Sequence, residues 1–507
     1  MLISVIPVPV LIMRPVEKMT ADHDIIIIGA GICGINSAYH VQTELPHYSY
    51  IILESRNAIG GTWDLFRYPG VRSDSDLFTL GFYWNPWKSD ELIVEGQAIQ
   101  NYIKESAENF GIAQKIRFRH RFLSGDWNSD RQRWALTIDK EGETQVFTAK
   151  FLIMSTGYFD YDEPMKAVIP GIENFKGKLV HTQFWPQDLD YTNKNVVIIG
   201  SGATAITLLP AMAEKVSSIT MLQRSPTYII SRTRIDSHAT ILQKYLPIWL
   251  SGQIIRFKYI VLSLIMVYLC VLFPTWMRKL LRHHNERLLP KHIAHNPHFT
   301  PLYNPWEQRM CVCPDNDFFD ALYSGKAHVV TDSIEAVMEN GIRTKHGTLL
   351  DADIIITATG LKLQLFGGAR ILIDGKTIDM SKKFFWRSSF VQDIPNAVVV
   401  IGSMHTSWTL GADITASQVC RILKNMETNR LSSVVPKVSQ GVKLEPIKVP
   451  ESASTYLKRG ITDLPKTGDK GPWMGRMGYI SDRWSTDYGS FSGMVKELKF
   501  VKENFGK

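Results

Sequence analysis

The sequence predicts an α/β fold with two Rossmann-like dinucleotide-binding domains and a helical insert in the second of them. Two glycine-rich turns support this prediction, Gly29-Ala-Gly31-Ile-Cys-Gly34 and Gly200-Ser-Gly202-Ala-Thr-Ala205. Each turn follows an apolar strand and precedes a helix-like run, which is the context that a nucleotide-binding turn requires. One such turn alone is weak evidence, but two in the same context predict two nucleotide sites in one chain.

The first turn follows the apolar strand 24–28, and its glycines let the backbone approach a pyrophosphate at a helix N-terminus. A second strand, 50–53, ends at Glu54, which lies 20 residues after Gly34. At this spacing a carboxylate accepts a hydrogen bond from a ribose hydroxyl in a βαβ unit. We therefore expect Gly29, Gly31, Gly34 and Glu54 to bind the adenosine half of a dinucleotide.

The second turn differs from the first at the end of its next strand. Strand 219–222 leads into Gln223-Arg224, where an NAD site would place Asp or Glu. An Arg side chain can bind a ribose 2′-phosphate through two hydrogen bonds, whereas a carboxylate would repel that phosphate. The first site therefore suits FAD and the second suits NADPH, and together they imply electron transfer. The residues expected to bind NADPH are Gly200, Ser201, Gly202, Ala203, Thr204, Gln223 and Arg224.

Two further strands run into a glycine, at 151–157 and at 349–360. They predict that the chain leaves the flavin domain near Gly157 and returns near Thr359 and Gly360, which places these three residues beside the cofactors. The expected domains are a leader that is not folded (1–20), two parts of an FAD domain (21–160 and 363–507), two parts of an NADPH domain (161–228 and 326–362) and a helical insert (229–325).

Length and charge agree with this organisation. A chain of 507 residues is long for one hydrophobic core, so two or three domains are expected. The net charge of +8 raises the question of nucleic-acid binding, but no basic stripe with interleaved aromatic residues is present. Nucleic acid is therefore not expected as a partner, and the binding of two polyanionic cofactors accounts for the charge.

The five cysteines are sparse and odd in number, which fits reduced thiols in a cytoplasmic protein. Cys311 and Cys313 form a Cys-x-Cys pair, but no second pair or histidine cluster follows at zinc spacing. We therefore expect no metal site. Disulfide reductases also carry two nucleotide folds, but they need a redox Cys-x-x-Cys, which this sequence lacks.

Two apolar segments raise the question of a membrane. Residues 1–13 are apolar and uncharged, and the first positive charge, Arg14, follows them, so they make a poor secretory signal. The main interpretation is a leader upstream of a start at Met19, and the other is a weak membrane anchor. Residues 259–277 contain no charge and are flanked by Lys and Arg. A buried helix of the insert is the first interpretation, a helix lying on a bilayer surface the second. A membrane span is disfavoured because one crossing would place Gly200 and Arg309 on opposite sides of the membrane, and both are expected to serve one active site.

Two longer motifs carry a family resemblance. The first is Phe175-Lys-Gly177-Lys-Leu-Val-His181-Thr-Gln-Phe-Trp185-Pro186, and the second runs from Gly60-Gly-Thr-Trp-Asp-Leu-Phe-Arg-Tyr-Pro-Gly70 to Asp74. The chain resembles the Baeyer–Villiger monooxygenases among the class B flavoprotein monooxygenases, and most of all their ethionamide-activating type. The resemblance extends from about residue 22 to about residue 485 and is weakest near 235–300.

This resemblance implies an FAD- and NADPH-dependent enzyme that inserts one oxygen atom of O₂ beside a ketone carbonyl, through a C4a-peroxyflavin, to give an ester or a lactone. The chemistry belongs to the flavin, and the protein must stabilise a developing anion and exclude water. A small apolar ketone or sulfide would be the substrate. A heteroatom oxygenase acting on sulfides, thioamides or amines is the nearest alternative, and an NADPH oxidase without an organic substrate is a remote one.

The resemblance also assigns residues. Arg309 would be the catalytic cation beside the flavin, since an Arg side chain does not lose its proton near neutral pH. Asp74 would pair with Arg309 and hold it in place, and His181 would link the domains or be structural. Gln308 departs from the Lys that many members have before this Arg, which leaves the 2′-phosphate contact to Arg224. The second motif adds the cofactor-binding residues Gly61, Thr62, Trp63, Asp64 and Tyr68.

Aromatic residues of the last part of the chain could form walls of the substrate pocket. Trp408, Trp473, Tyr479 and Trp484 are candidates, although packing in the core is the ordinary role of such residues. The sequence does not identify which ketone or heteroatom compound would bind.

Overall fold

The computed structural model of the chain describes residues 19–402, 406–448, 454–476 and 478–502. These residues form two mainly parallel sheets with helices packed around them, joined by short connections and a helical excursion. The predicted α/β fold with two Rossmann-like units is confirmed.

The strands are β1 (Met19–Ile28), β2 (Tyr50–Leu53), β3 (Ile116–Arg117), β4 (Arg121–Asn128), β5 (Arg133–Lys140), β6 (Glu143–Met154), β7 (Lys178–His181), β8 (Asn195–Ile199), β9 (Ser218–Gln223), β10 (Ile229–Arg232), β11 (Cys311–Pro314), β12 (Ala327–Thr331), β13 (Ile334–Met338), β14 (Gly341–Thr344), β15 (Leu349–Asp351), β16 (Ile354–Thr357), β17 (Arg370–Ile373), β18 (Lys376–Thr377), β19 (Phe385–Trp386), β20 (Phe390–Val391), β21 (Ala397–Val399), β22 (Leu431–Pro436) and β23 (Leu498–Lys502).

The helices are α1 (Ile32–Glu44), α2 (Thr62–Leu65), α3 (Leu77–Leu80), α4 (Gly96–Asn109), α5 (Ala203–Ala213), α6 (Ser237–Tyr245), α7 (Ile248–Leu272), α8 (Pro274–Leu288), α9 (His295–His298), α10 (Asp317–Tyr323), α11 (Trp408–Thr428), α12 (Thr455–Gly460), α13 (Tyr479–Asp487) and α14 (Phe491–Met494).

The first sheet has the strand order β18-β17-β4-β5-β6-β1-β2-β3, with β21 also paired to β6. Strand β1 pairs in parallel with both β2 and β6. Its isoleucines alternate between two cores, because successive side chains of a strand point to opposite faces: Ile25 and Ile27 enter one core, Ile26 and Ile28 the other. A strand buried on both faces reads as a continuous apolar run, which is what the sequence shows.

The second sheet repeats this design with the order β12-β9-β8-β16-β7, and all of its pairings are parallel. On β8, Val196 and Ile198 enter one core, and Val197 and Ile199 enter the other. Both glycine-rich turns therefore leave the carboxyl end of an inner parallel strand, where open α/β sheets bind their ligands.

The two connections between the sheets lie side by side. Residues 158–160 and 362–364 form a short antiparallel contact, in which the Asp160 N–H donates to the Lys362 carbonyl (2.8 Å) and the Gln364 N–H to the Tyr158 carbonyl (3.0 Å). The Lys362 ammonium also binds the Asp160 carboxylate at 2.8 Å. The sheets are thus joined by a double connection that is itself hydrogen-bonded.

Several expectations about the ends of elements change. Strand β1 begins at Met19, two residues before the predicted start of the flavin domain, and the rest of the predicted leader lies outside the described residues. The interval 229–325 is not wholly helical, because β10 and β11 pair in parallel near its two ends. This pairing keeps the helical excursion attached to the rest of the protein at both ends. The domain limits themselves stay predictions.

The first interpretation of the apolar segment, a buried helix of the insert, is wrong. Helix α7 contains residues 259–272 of this segment and α8 contains residues 274–277, and only 22% of the most apolar window of α7 is buried. Among the described residues, α7 is the helix that is long and apolar enough to cross a membrane, with a mean hydropathy of 2.1 in that window. An apolar run indicates a helix that avoids water, but it does not say whether protein or lipid replaces the water.

Candidate functional site

The first glycine turn has the geometry of a nucleotide-binding turn. Gly29 has φ +101°, and a Cβ there would lie 2.6 Å from the Ser155 carbonyl oxygen, so only glycine fits. A Cβ on Gly34 would meet the Gly29 carbonyl oxygen at 1.8 Å, which lets α1 start directly against the turn. Gly31 faces the backbone of Gly61, so the two glycine-rich segments of the flavin unit touch.

Glu54 lies where the sequence predicts it, at the end of β2. Its carboxylate is buried and accepts hydrogen bonds from the backbone N–H groups of Ala30 (2.7 Å) and Arg56 (2.8 Å). The Ser55 hydroxyl also donates to this carboxylate (3.3 Å), so about one of its four acceptor positions remains for a ribose. The same side chain therefore fixes the glycine turn and can bind the cofactor.

The segment 60–74 crosses from the first unit to the second. Asp64 lies in the first unit and accepts from Arg56, Arg67 and Gln100 at 2.5–3.0 Å, so its carboxylate holds the segment together. These contacts give Asp64 a structural role, and its contact with a cofactor stays a prediction. Trp63 is half-buried against the first core, and the Thr62 hydroxyl contacts the Tyr161 hydroxyl at 3.2 Å.

The far end of this segment packs on the second unit. The Tyr68 side chain is buried in the second core and is hydrogen-bonded to Thr204, at the start of α5; burial raises the pKa of Tyr68 to about 12. A Cβ on Gly70 would lie 2.8 Å from the Ala211 methyl group of the same helix. The predicted residues Tyr68 and Thr204 are thus brought together and join the flavin unit to the nicotinamide unit.

The second glycine turn is more open than the first. A Cβ on Gly200, which has φ +146°, would meet the Ala358 carbonyl oxygen at 2.3 Å, but a Cβ on Gly202 would have nothing within 4 Å. Gly202 and Ala203 are exposed, and the Ser201 hydroxyl donates to the Ser225 carbonyl at 2.7 Å. The N-terminus of α5 is therefore accessible to a pyrophosphate.

Gln223, the last residue of β9, and Arg224, which follows it, differ in exposure. Gln223 is buried, and its amide nitrogen donates to the His298 carbonyl (2.7 Å) and the Thr331 hydroxyl (2.9 Å). The expected cofactor contact of the Gln223 side chain is therefore not supported, because its donor is taken up inside the unit. Arg224 is exposed, as a phosphate ligand must be.

Asp74 and Arg309 lie near each other but do not form the expected direct pair. The Arg309 guanidinium donates to the Ser75 hydroxyl at 2.7 Å, and within the described ranges no salt bridge of 4.0 Å or less joins it to Asp74. Burial raises the pKa of Asp74 to about 6, while the charges of Arg309 and Arg72 oppose that rise. The Val312 N–H binds the Asp74 carboxylate, which turns it toward β11 rather than toward Arg309.

Three aromatic side chains lie near Arg309 and the two connections: Tyr158, Trp408 and Tyr456. Burial raises the pKa of the Tyr158 and Tyr456 hydroxyls, and the positive charge of Arg309 opposes that rise in both. Tyr456 also covers Gly360, since a Cβ there would lie 2.8 Å from its ring. The Trp408 ring lies 5.0 Å from the Tyr158 ring. The predicted residues Gly157 and Gly360 thus flank an exposed cation and three aromatic rings.

The residues present fit two dinucleotides. Two buried hydroxyls near the glycine turns, Ser155 Oγ and Thr359 Oγ1, have no hydrogen-bond partner in the part of the chain that the structure describes, although buried polar groups are nearly always paired. Ser155 faces Gly29 and Gly34, and Thr359 precedes Gly360. Unpaired groups at both turns are expected where a bound cofactor supplies the missing partners.

Two family models match this chain. Residues 89–434 match the family model described as flavin-binding monooxygenase-like, and residues 27–88 match an NAD(P)-binding Rossmann-like domain. The chain belongs to the flavin-binding monooxygenase-like family. It is 43% identical to the FAD-containing monooxygenase EthA of Mycolicibacterium smegmatis over 92% of this chain and 94% of that protein.

Solved structures of monooxygenases share the fold of this flavin monooxygenase. An oxidised steroid monooxygenase bound to NADP superposes with a TM-score of 0.74 at 18% identity, covering 95% of this chain and 100% of that one. A cyclohexanone monooxygenase bound to ε-caprolactone gives 0.71 at 17% identity, with 95% and 100% coverage. The prediction of an NADPH-dependent flavin monooxygenase with FAD and NADPH as cofactors is confirmed.

Some residues of this flavin monooxygenase site were not found from the sequence. Ser75, the partner of Arg309, directly follows the motif that ends at Asp74, but nothing in the sequence distinguishes it from its neighbours. Gln183 lies within the His181 motif, and its amide donates to the Asp160 carbonyl at 2.7 Å, which ties the second sheet to the connection. Such contacts join residues far apart in sequence and have no local signal.

The remaining candidates divide between the site and the core. His181 Nδ1 accepts from the Gln183 N–H (3.2 Å), and burial lowers the pKa of His181. Trp473 is fully buried and structural, whereas Trp484 is exposed. The cysteines are all free and buried, and within the described ranges no group of three or more metal-binding side chains occurs.

Proposed function

We propose that this flavin monooxygenase is a Baeyer–Villiger monooxygenase, which inserts one oxygen atom of O₂ beside the carbonyl of a small apolar ketone. The observation that carries the proposal is the position of Arg309, an exposed cation placed where the two connections, the flavin motif and the nicotinamide unit meet. A fixed cation at this junction can stabilise negative charge that develops beside the flavin. A structural neighbour that is bound to a lactone supports the same reaction.

The roles of the protein groups follow from the contacts. The bound flavin, once reduced by NADPH, supplies the reaction with O₂, and the protein supplies binding, orientation and charge. Arg309 is proposed as the catalytic cation, held in place by Ser75 and by the negative charge of Asp74. Tyr158, Trp408 and Tyr456 are proposed to exclude water from the reacting atoms.

Cofactor contacts are proposed from the same geometry. Gly29, Gly31, Gly34 and Glu54 bind the adenosine half of FAD, and the turn at 200–204 with Arg224 binds NADPH. Because Gln223 is turned inward, Arg224 is the side chain of this pair that reaches the 2′-phosphate. Peripheral membrane contact through 259–277 is proposed as well, since the structure exposes this segment.

A coupled assay of the purified FAD-loaded protein tests the function. NADPH consumption, O₂ uptake, peroxide release and products are measured with a panel of linear and cyclic ketones and of sulfides. Ketone-stimulated consumption with ester or lactone formed and little peroxide would support the proposal. Sulfoxides without esters would instead establish a heteroatom oxygenase, and stoichiometric peroxide with every compound would indicate an oxidase.

A further inference from the structure

The exposed apolar side chains of this protein are concentrated in one place. Of the thirty large hydrophobic residues that are exposed within the described ranges, fourteen lie between Ile241 and Leu280, on helices α6 to α8. Trp249, Phe257, Tyr268 and Leu272 are each more than half exposed. Patches of this kind on a soluble protein mark sites of contact with another protein or with a membrane. We call the outward side of α6–α8 the apolar face.

Both ends of α7 are fixed to the protein body. Near its start, Arg256 is buried, forms a salt bridge with Asp413 of α11 (3.0 Å) and donates to the carbonyls of Phe78, Thr79 and Gly81. Near its end, Cys270 packs with Met277 of α8 in a core shared with the nicotinamide unit. A helix that is anchored to the protein at both ends, on one side, cannot pass through a bilayer. Any contact of α7 with a bilayer therefore places the helix along the bilayer surface.

The positive charge around the apolar face favours an anionic partner over a second copy of the chain. Between residues 237 and 291 the chain has eight Lys and Arg residues and one acidic residue, Glu286; of the eight, Arg256 is buried against Asp413 and Lys258 binds Asp236, which leaves six for the rim. Arg278, Lys279 and Arg282 are exposed on α8, directly after the apolar end of α7. A second copy of the chain would bring like charges together at this rim, whereas an anionic lipid surface would neutralise them.

We propose that the apolar face docks on the surface of a bilayer that contains anionic lipids, with α7 parallel to the membrane plane. Helix α7 has 25 residues and is therefore about 37 Å long. Trp249 and Trp276 flank its two ends, which suits the headgroup level of a membrane. The basic residues of α8 bind the lipid phosphates, as in other interfacial helices that carry Lys and Arg at the polar edge. This deepens the membrane contact proposed above and names the lipid class.

Vesicle flotation of the full-length holoenzyme tests the proposal. We expect the protein to float with vesicles of equimolar phosphatidylcholine and phosphatidylglycerol, less with phosphatidylcholine alone, and less at high salt. Phe257→Ser combined with Leu272→Ser should reduce the partition coefficient about tenfold or more, since two large apolar side chains are removed. Lys279→Glu with Arg282→Glu should abolish the preference for anionic vesicles.

Leu302→Ser is the matched control, because Leu302 is 91% exposed but lies outside the apolar face. Its flotation and the thermal unfolding of all variants should equal those of the parent protein. Absence of flotation, or equal flotation of parent and apolar variants, would overturn the proposal. A concentration-dependent oligomer that the same variants dissociate would also overturn it, by showing that a second copy covers the face. The readout is binding, so it is independent of whether ketones are oxidised.

Discussion

Arg309 is exposed and is held by a hydrogen bond to a residue distant in sequence. Its guanidinium is held by Ser75 on the flavin motif, while its own backbone belongs to the segment before β11. The charge is therefore presented at the junction of the two units without a buried partner that would neutralise it fully. This arrangement makes Arg309 the residue on which the proposed reaction depends most.

Arg309→Ala should abolish oxygenation while FAD is still bound and still reduced by NADPH. Loss of one group that stabilises developing charge costs about 10²–10³ in kcat. Product formation and the anaerobic rate of flavin reduction measure the two steps separately. Arg309→Lys, which keeps the charge but not the planar fork, should retain part of the activity. Full ester formation by the Ala variant would contradict the assignment.

Asp74 should give oxygenation a pH dependence with a midpoint near its pKa of about 6. Below that pH the carboxyl is neutral and no longer attracts Arg309, so coupling of NADPH use to product should fall. Asp74→Asn should show low coupling without this titration. Steady-state coupling measured across pH tests this, and an unchanged midpoint in the Asn variant would assign the titration to another group.

The same shift has a consequence for stability. The pKa of Asp74 is higher in the folded protein than the ordinary value of 3.8, because burial disfavours the charged form. The folded state therefore binds the proton more tightly than the unfolded state does. The ionised carboxyl destabilises the folded state above about pH 6. This loss of stability disappears as the pH falls toward 3.8, the ordinary pKa that the group has in the unfolded state.

Arg224→Ala should raise the KM for NADPH and leave the KM for NADH nearly unchanged. Arg224 is exposed beside the second glycine turn, and a charge-assisted hydrogen bond to a phosphate contributes about 1.5–3 kcal/mol. That corresponds to about a tenfold to hundredfold increase. NADH serves as the internal control in a steady-state assay, and equal effects on both cofactors would show that Arg224 does not read the 2′-phosphate.

At the scale of elements, the first glycine turn offers a test with a close control. Gly29→Ala would place a methyl group 2.6 Å from the Ser155 carbonyl oxygen in a backbone with φ +101°. Gly142 has a similar φ of +93° but nothing within 4 Å, so Gly142→Ala carries the backbone strain without the clash. We expect only the Gly29 variant to lose bound FAD, measured by flavin absorbance. Equal FAD content in both variants would contradict this.

The Arg256–Asp413 salt bridge joins α7 to α11 and belongs to the scale of the whole molecule. Arg256→Met should lower the free energy of unfolding by about 3–5 kcal/mol, because it removes the guanidinium from the buried carboxylate of Asp413, which then depends on His40 and Asn36. Adding Asp413→Asn should recover part of that loss. Denaturant unfolding of the single and double variants measures this, and additive losses would mean that the two charges do not interact.

The features that could be predicted from the sequence are those encoded locally. The apolar runs before Gly29 and Gly200 predict buried parallel strands, because β-branched side chains fill both faces of each strand. The glycines indicate the turns that follow these strands. The neighbourhood of Arg309 could not be predicted, because Ser75, Tyr158 and Tyr456 come from distant segments. The exposure of α7 agrees with the second interpretation of the segment and not with the first, because composition describes the helix and not its surroundings.

The two glycine turns repeat one steric arrangement, with consequences for how cofactor preference can change. In each unit the first glycine faces a carbonyl oxygen two residues before a second glycine: Ser155 before Gly157, and Ala358 before Gly360. No side chain fits at either first glycine, so both positions are closed to substitution. Arg224, which is proposed to bind the 2′-phosphate, is exposed and lies outside this constraint, whereas the Glu54 carboxylate also holds the first turn through the Ala30 N–H. The nucleotide preference of the second unit should therefore be open to engineering at one position, while in the first unit preference and turn architecture are coupled through Glu54.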